Sequence, residues 1–200
     1  MSKEHLSVAA IAVTFVLFVP YVRSVHRGHT KPHVFTWVIW GLGTLTVFAA
    51  QMAGGAGVGA WPIGISGLIS SYIAVLAHLK RDDATITGAD WAFLVAALSA
   101  LPFWFLTADP LWAVVTLTVV DLIGFGPTVR RAYRHPHAEH AGFFALSAGR
   151  NALVILALER YSLTTVLFPA GVGVACALLV LMLVWRRASL GAGARAGQAT

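Results

Sequence analysis

The 200-residue sequence has little charge, a single cysteine and a single asparagine. Charged residues make up 11% of the chain and hydrophobic residues 58%. Because a soluble domain carries about 25% charged residues, a chain this apolar would have no polar coat in water. The one cysteine, Cys176, excludes an intramolecular disulfide and argues against a cysteine-based metal site. The composition therefore predicts an integral membrane protein.

Several signatures of other protein classes are also missing. The chain has no HExxH motif, no phosphate-binding glycine loop and no serine, histidine and acid at one depth, which argues against an enzyme or a cofactor protein. The last apolar run has no lysine, so a seven-helix photoreceptor would lack the anchor for a retinal Schiff base. The first run ends at Pro20 without a small-residue cleavage site, and we interpret it as a retained helix rather than a signal peptide.

Apolar runs long enough to cross a bilayer, which takes about 20 residues, recur along the chain. The predicted spans are residues 6–25, 34–53, 57–79, 90–107, 110–130, 141–159 and 163–185. They predict an all-α integral membrane fold of seven transmembrane helices. The segment 188–200, rich in glycine and alanine, is expected to be a disordered tail.

The basic residues predict the orientation of these spans. Only Lys3 and Arg160 fall on the side of the N-terminus. Eleven fall on the other side: Arg23, Arg27, Lys31, Lys80, Arg81, Arg130, Arg131, Arg134, Arg186, Arg187 and Arg195. The positive-inside rule then places the N-terminus outside and the C-terminus in the cytoplasm of a cell that carries the protein in its plasma membrane. The basic loops suit anionic membrane lipids, whereas nucleic-acid binding would need interleaved aromatics and a soluble domain.

An internal repeat appears when the chain is aligned with itself so that Pro20 falls on Pro127. The same register places Pro62 on Pro169 without a gap. Further matches are Val22-Arg23 on Val129-Arg130, Arg27 on Arg134, His33 on His140 and Gly64 on Gly171. The repeat predicts three units: residues 1–82 as repeat 1, 83–109 as linker helix 4, and 110–187 as repeat 2. Because the linker is a single span, the two three-helix repeats are expected to be parallel.

The four repeated prolines lie in symmetric pairs near opposite faces of the membrane. A proline frees a backbone carbonyl and permits a kink. Such breaks are tolerated in membranes where protein or a water-filled cavity satisfies the freed group. Pro20, Pro62, Pro127 and Pro169 are therefore candidate gating residues of an alternating carrier, with simple packing kinks as the alternative.

Two segments of the repeat resemble the paired signature of the PQ-loop, SWEET or MtN3-like superfamily: VPYVRSVHRGHTKPHVFTWVIWGLGT and GPTVRRAYRHPHAEHAGFFALSAGRNA. The resemblance covers residues 6–187 and implies a small-solute carrier with a central site between two three-helix bundles. The chain departs from that signature at Tyr21 and Thr128, where the family has glutamine after proline. It also lacks the paired asparagines of the sugar site, so sugar specificity is not implied.

Two charges fall near the middle of predicted spans, at a membrane depth where ions are rare and often functional. Asp121 precedes His135 by 14 residues and Arg150 follows it by 15. At about 1.5 Å per residue both reach the same depth, which predicts an ion pair between spans five and six, with Asn151 as a further contact. The pair is either a structural clamp or a proton, cation or anion site. The register of the repeat matches these charges with Thr14 and Gly43, so they occur in one repeat only.

Other polar and aromatic residues share helix faces. Trp37 and Trp40 lie three residues apart, and Ser66 and Ser70 four apart, so each pair lies on one face. They predict either close packing or a narrow substrate cavity with aromatic walls. Six histidines crowd two loops, but their spacing matches no established metal site. They are His26, His29, His33, His135, His137 and His140.

The sequence favours a membrane carrier that moves a small polar or charged solute by alternating access. The expected partners are that solute and membrane lipids, without nucleic acid, and a homo-oligomer is compatible with the chain. The alternative is a non-transporting receptor, sorting protein or sensor on the same fold. A pocket open to one face only and closed by an immobile pair would favour the alternative.

Overall fold

The computed structural model describes residues 2–80, 87–137 and 139–196, with side chains described up to residue 190. Within these ranges the chain forms nine α-helices and one 3₁₀ turn, and no strand. Six helical segments are long and apolar enough to cross a membrane, and a seventh apolar helix has 17 residues, or about 26 Å of rise. The chain is therefore an all-helical, multi-pass membrane protein.

Helical segments occupy all seven predicted spans. The first three are α1 (Lys3–His26), α2 (Val34–Ala53) and α3 (Trp61–Leu79), with a 3₁₀ turn at Gly57–Ala60 before α3. The fourth and fifth spans are each divided, into α4 (Gly88–Leu98) and α5 (Ala100–Thr107), and α6 (Pro110–Gly124) and α7 (Gly126–Arg134). The last two are α8 (Ala141–Ala157) and α9 (Leu163–Ala196).

Several helices begin at side chains that satisfy free backbone N–H groups of the first turn. The Ser2 hydroxyl accepts from the His5 N–H at the start of α1. Thr87 and Asp90 form a reciprocal capping box at the start of α4. Asp109 accepts from the Leu111 N–H at the start of α6. These polar residues at the edges of apolar runs define where the spans begin.

Proline explains both interruptions. Pro102 has no N–H for the Leu98 carbonyl, and the helix is broken at Ser99. Pro127 likewise has no N–H for the Ile123 carbonyl, and α6 ends at Gly124. Two other prolines, Pro20 and Pro169, lie inside α1 and α9 without ending them. The repeat-related prolines Pro20 and Pro127 thus have different local effects.

The predicted disordered tail is wrong for residues 188–196, because α9 continues to Ala196. A helix that already exists is extended without a new nucleation step. Alanine, which has the highest helix propensity, occupies four of these nine positions. Residues 197–200, the remainder of the predicted tail, lie outside the described residues.

The helices pack as two groups of similar internal order. In the first group, α3 packs between α1 and α2; in the second, α9 packs between α6 and α8. The groups meet along two interfaces, α1 against α8 and α2 against α6. We call these the first interface and the second interface. The divided fourth span packs against α2 and α6 beside the second interface.

Alternation of the helices gives the bundle two distinct ends. The basic end carries the connections that follow α1, α3 and α7, and the Lys80 ammonium there donates to the Val25 and His26 carbonyls. The N-terminal end carries Ser2, the glycine-containing turn before α3 and the connections that follow α5 and α8.

Candidate functional site

Arg150 lies buried in the first interface, between α8 and the helices α1 and α3. Its Nε donates to the Thr14 hydroxyl at 3.0 Å, and its Nη2 donates to the Pro62 carbonyl and the Ser66 hydroxyl. Thr14 and Ser66 are themselves buried and donate to carbonyls of their own helices. The guanidinium therefore joins the second group to the first through neutral oxygens.

The predicted ion pair between Arg150 and Asp121 is wrong. Arg150 bonds to Thr14, Pro62 and Ser66 instead, and the described residues contain no ion pair between these two side chains. The physical reason is lateral order, since α9 lies between α6 and α8. Equal depth in consecutive helices does not make two residues neighbours when a third helix is inserted between them.

Asp121 instead lines a cavity of about 180 Å³ at the second interface. Residues of α2, α4, α6 and α9 form its walls. Thr36 and Asp90 lie in the first turns of α2 and α4, whereas Gly43 and Leu117 lie about two turns deeper. The cavity therefore extends from the basic end toward the middle of the bundle.

The lining combines acidic and apolar groups. Asp90 and Asp121 supply carboxylates and Thr36 and Thr44 supply hydroxyls, but no lysine, arginine or histidine of the described chain is in the lining. Asp90 is engaged by the Thr87 N–H and hydroxyl, both at 2.7 Å, and by His33 at 3.9 Å. Within the described ranges, the Asp121 side chain has no hydrogen bond or ion pair, so its charge is available to a ligand.

The structure separates the predicted aromatic pair. Trp37 and Trp40 touch, with ring centroids 5.2 Å apart, but only Trp40 lines the cavity. Trp37 is buried inside the first group against Phe18 and Tyr21. Trp37 is thus part of the core, and Trp40 is a candidate binding residue.

The other predicted binding residues lie outside the cavity lining. Ser66 binds Arg150, and Ser70 is buried on the same helix. Asn151 is buried against α9, where its Cβ lies beside Gly173. Its Nδ2 donates to the Ser147 carbonyl at 2.9 Å, and its Oδ1 has no partner. Of the predicted binding residues, the structure brings Asp121 and Trp40 together and places the others in packing positions.

Carbonyls four residues before two of the predicted gating prolines accept hydrogen bonds from side chains. The Val58 carbonyl, before Pro62, accepts from the Trp61 N–H within the 3₁₀ turn and from the Ser7 hydroxyl at 2.6 Å. Pro169 has no N–H for the Thr165 carbonyl, to which Gln51 Nε2 donates at 2.7 Å from α2 to α9. Gln51 was not predicted, although it is the only glutamine within the predicted spans.

The N-terminal end is closed by contacts between the two groups. The Val58 N–H donates to the Glu159 carboxylate at 3.1 Å, and the Glu159 N–H donates to the Ala56 carbonyl at 3.1 Å. Lys3 Nζ donates to the Leu156 carbonyl at 2.7 Å. A Cβ at Gly59 would lie 2.7 Å from the Leu158 backbone, so glycine is required for this close approach. These contacts were not predicted from the sequence.

Two of the histidines near the basic end contact other side chains. His26 hydrogen-bonds with the Tyr72 hydroxyl at 2.8 Å, and His33 lies against Asp90. No group of three or more potential metal ligands comes together in the described part of the chain.

Comparison of the chain with models of protein families, with curated proteins and with solved structures finds no match. The function therefore has to be argued from the geometry of the cavity and of the two interfaces.

Proposed function

We propose that this protein is a membrane carrier that moves a small polar or charged solute by alternating access between the two helix groups. The observation that carries the proposal is the cavity at the second interface, which extends to the basic end while contacts between the groups close the N-terminal end. A site reachable from one side and closed on the other is one state of an alternating carrier.

The proposal includes an internal duplication of the fold. The helices α1 to α3 form one repeat, α6 to α9 form a second, parallel repeat, and α4 with α5 is the linker of a 3+1+3 fold. Two observations support the duplication: the sequence register that aligns Pro20 with Pro127, and the same packing order of helices in both groups. The resemblance to the PQ-loop and SWEET superfamily belongs to the same proposal. With the basic end in the cytoplasm, the cavity faces the cytoplasm.

Transport then requires the second interface to close at the basic end as the contacts at the N-terminal end separate. The bonds of Glu159 and Lys3 would break in that step, and each can be replaced by water once the end opens. The deeply buried bonds of Arg150 have no such replacement in a dry interface. The first interface therefore serves as the pivot, and Asp121 and Trp40 lie on the solute path.

Uptake into proteoliposomes tests the proposal. Purified protein is screened with a panel of cationic, anionic and neutral solutes, with and without a pH gradient. Flux of at least one solute above empty liposomes, lowered by Asp121→Asn, is expected. Asp109→Asn is the matched control, because Asp109 caps α6 outside the cavity and asparagine caps as well as aspartate.

A cavity that extends to the basic end alone also suits a receptor or sorting protein that does not transport. Cysteine accessibility separates the two functions. In a Cys176→Ser background, Thr44→Cys reports on the cavity and Ala56→Cys on the N-terminal end, where Ala56 is fully buried. A carrier exposes both cysteines in turn to impermeant reagents on opposite sides. If Ala56→Cys is never labelled under any solute condition, the receptor function is favoured.

A further inference from the structure

The two interfaces are related by the internal repeat, but they are filled differently. The register of the repeat places Thr14 on Asp121 and Gly43 on Arg150. In the first interface, the Arg150 guanidinium donates to Thr14. In the second interface, Asp121 and Gly43 line the same cavity. The cavity therefore lies where the repeat would place a guanidinium, and a carboxylate stands where the first interface has a hydroxyl.

We propose that the cavity binds a small organic cation of the guanidinium type, held by Asp121 and Trp40 in the position that Arg150 occupies in the first interface. This inference rests on the proposed carrier function and names its substrate class. Gly43 leaves the space that the ligand fills, since a Cβ there would meet only Leu117, at 3.2 Å.

The charge of the lining selects a cation. The two lining carboxylates face no basic side chain within the lining, and Asp90 is already engaged by Thr87 and His33. Asp121 has no hydrogen-bond or ion-pair partner among the described residues, and the Cys176 thiol of α9 lies close enough to interact with it electrostatically. An unpartnered carboxylate inside a membrane bundle is strongly stabilised by an opposite charge. A zwitterionic ligand would bring its own carboxylate into a lining that offers no cation.

The walls select an organic cation over a metal ion. The cavity of about 180 Å³ is close to the ~150 Å³ that accommodates a benzene-sized molecule. Trp40, Phe93 and Phe168 contribute aromatic surface, and Trp40 is 41% exposed. A guanidinium stacks on such rings through cation–π attraction, whereas a hard metal ion needs about six oxygen ligands.

Calorimetry on the full-length protein in nanodiscs tests this inference without transport. Methylguanidinium is the probe, and methylurea is its neutral isostere. We expect saturable binding of methylguanidinium and none of methylurea at the same concentrations. Asp121→Asn should weaken methylguanidinium binding by about 10- to 100-fold, the worth of a charge-assisted hydrogen bond. Asp109→Asn, at the N-terminal end, should leave it unchanged.

The Trp40 variants give a second readout that survives if Asp121→Asn fails to fold. Trp40→Phe retains an aromatic face, and Trp40→Leu removes it. We expect Trp40→Leu to weaken binding by about 3- to 10-fold and Trp40→Phe by less. Equal binding of methylguanidinium and methylurea, or no binding of either to the wild-type protein, would overturn the inference.

The outcomes also separate this inference from the proposed function. If methylguanidinium binding depends on Asp121 but no solute is transported, the cation site is supported and the carrier function is contradicted. Flux of a neutral or anionic solute that is unaffected by Asp121→Asn, with no methylguanidinium binding, would retain the carrier and remove the cation site.

Discussion

The first and second interfaces join the same two helix groups, yet one is filled and the other is hollow. At the first interface, Arg150 reaches across from α8 and bonds to α1 and α3. At the second interface, the repeat-related position is Gly43, and a cavity lies between it and Asp121. The difference teaches that the same two helix groups can be joined in two ways, by a buried guanidinium with hydrogen bonds to both partner helices and by walls that leave a cavity between them.

The side chains at the two interfaces also differ in how closely they connect the two helix groups. Arg150 is buried, and its bonds to Thr14 and Ser66 would be lost in any separation of α8 from α1 and α3. At the second interface, the cross-group bond from Gln51 to Thr165 lies at the N-terminal end, above the cavity. Glycine at position 43 leaves the middle without such a connection.

The largest expected effect comes from emptying the first interface with Arg150→Ala. The change creates a cavity and leaves the Thr14 and Ser66 hydroxyls without their donor, while the Pro62 carbonyl keeps only the hydrogen bond from the Ser66 hydroxyl among its side-chain donors. We expect a loss of about 3–5 kcal/mol in the free energy of unfolding, from cavity formation and lost polar contacts together. Thermal unfolding in detergent measures it.

Its control replaces the polar contacts with apolar ones of similar shape. In the variant Arg150→Met with Thr14→Val and Ser66→Ala, most unpaired groups disappear, which is close to neutral. We expect this variant to recover most of the stability. A variant Arg150→Ala as stable as the wild-type protein would contradict the assignment of the first interface as the pivot.

The apolar helices themselves were predictable, because crossing a bilayer requires apolar length. Six helical segments of the described chain have that length, and a seventh apolar helix has 17 residues. The internal breaks were not predicted, although Pro102 and Pro127 carry the signal in the sequence. The predicted end of the last helix was too early. Glycine and alanine after residue 187 were interpreted as a disordered tail, whereas α9 continues to Ala196.

Some residues of the candidate site were singled out from the sequence. Asp121 and Arg150 were chosen because charges deep inside apolar spans are rare, and Trp40 because it shares a helix face with Trp37. Their partners were not predicted, since depth along a helix says nothing about which helix lies beside it. The sequence register of the repeat carries a signal for these partners. It matches Thr14 with Asp121 and Gly43 with Arg150. In the structure, Thr14 bonds to Arg150 at the first interface, and Asp121 and Gly43 line one cavity at the second.

A smaller effect is expected from separating the first interface at the N-terminal end with Gly59→Val. A side chain at position 59 would collide with the Leu158 backbone, which cannot rotate away. We expect a loss of about 2–3 kcal/mol in the free energy of unfolding and faster labelling of Ala56→Cys. Gly149→Ala is the control, because a Cβ there meets nothing within 4 Å. Equal labelling in both variants would show that this contact does not close the end.

The second interface is tested at the same end by Gln51→Leu. The change removes the side-chain donor to the Thr165 carbonyl, for which Pro169 has no N–H. An unsatisfied buried carbonyl lowers the free energy of unfolding by about 1–2 kcal/mol. Adding Pro169→Ala restores a backbone N–H for that carbonyl and should recover the loss. If Pro169→Ala lowers stability equally with and without Gln51, the two residues are not coupled through this carbonyl.

The smallest change in stability, and the sharpest comparison, is expected from Gly43→Arg, which gives the second interface the residue of the first. The new guanidinium would meet Asp121, and Leu117 would have to shift slightly. A buried ion pair is close to neutral in stability, and replacing a helical glycine contributes up to about 1 kcal/mol, so the unfolding midpoint should hardly move. Methylguanidinium binding should be lost. Adding Asp121→Asn removes the counter-charge and should lower the midpoint. If Gly43→Arg bound methylguanidinium as tightly as the wild-type protein does, the cation would bind outside this cavity. The proposed correspondence between the ligand and Arg150 would then be wrong.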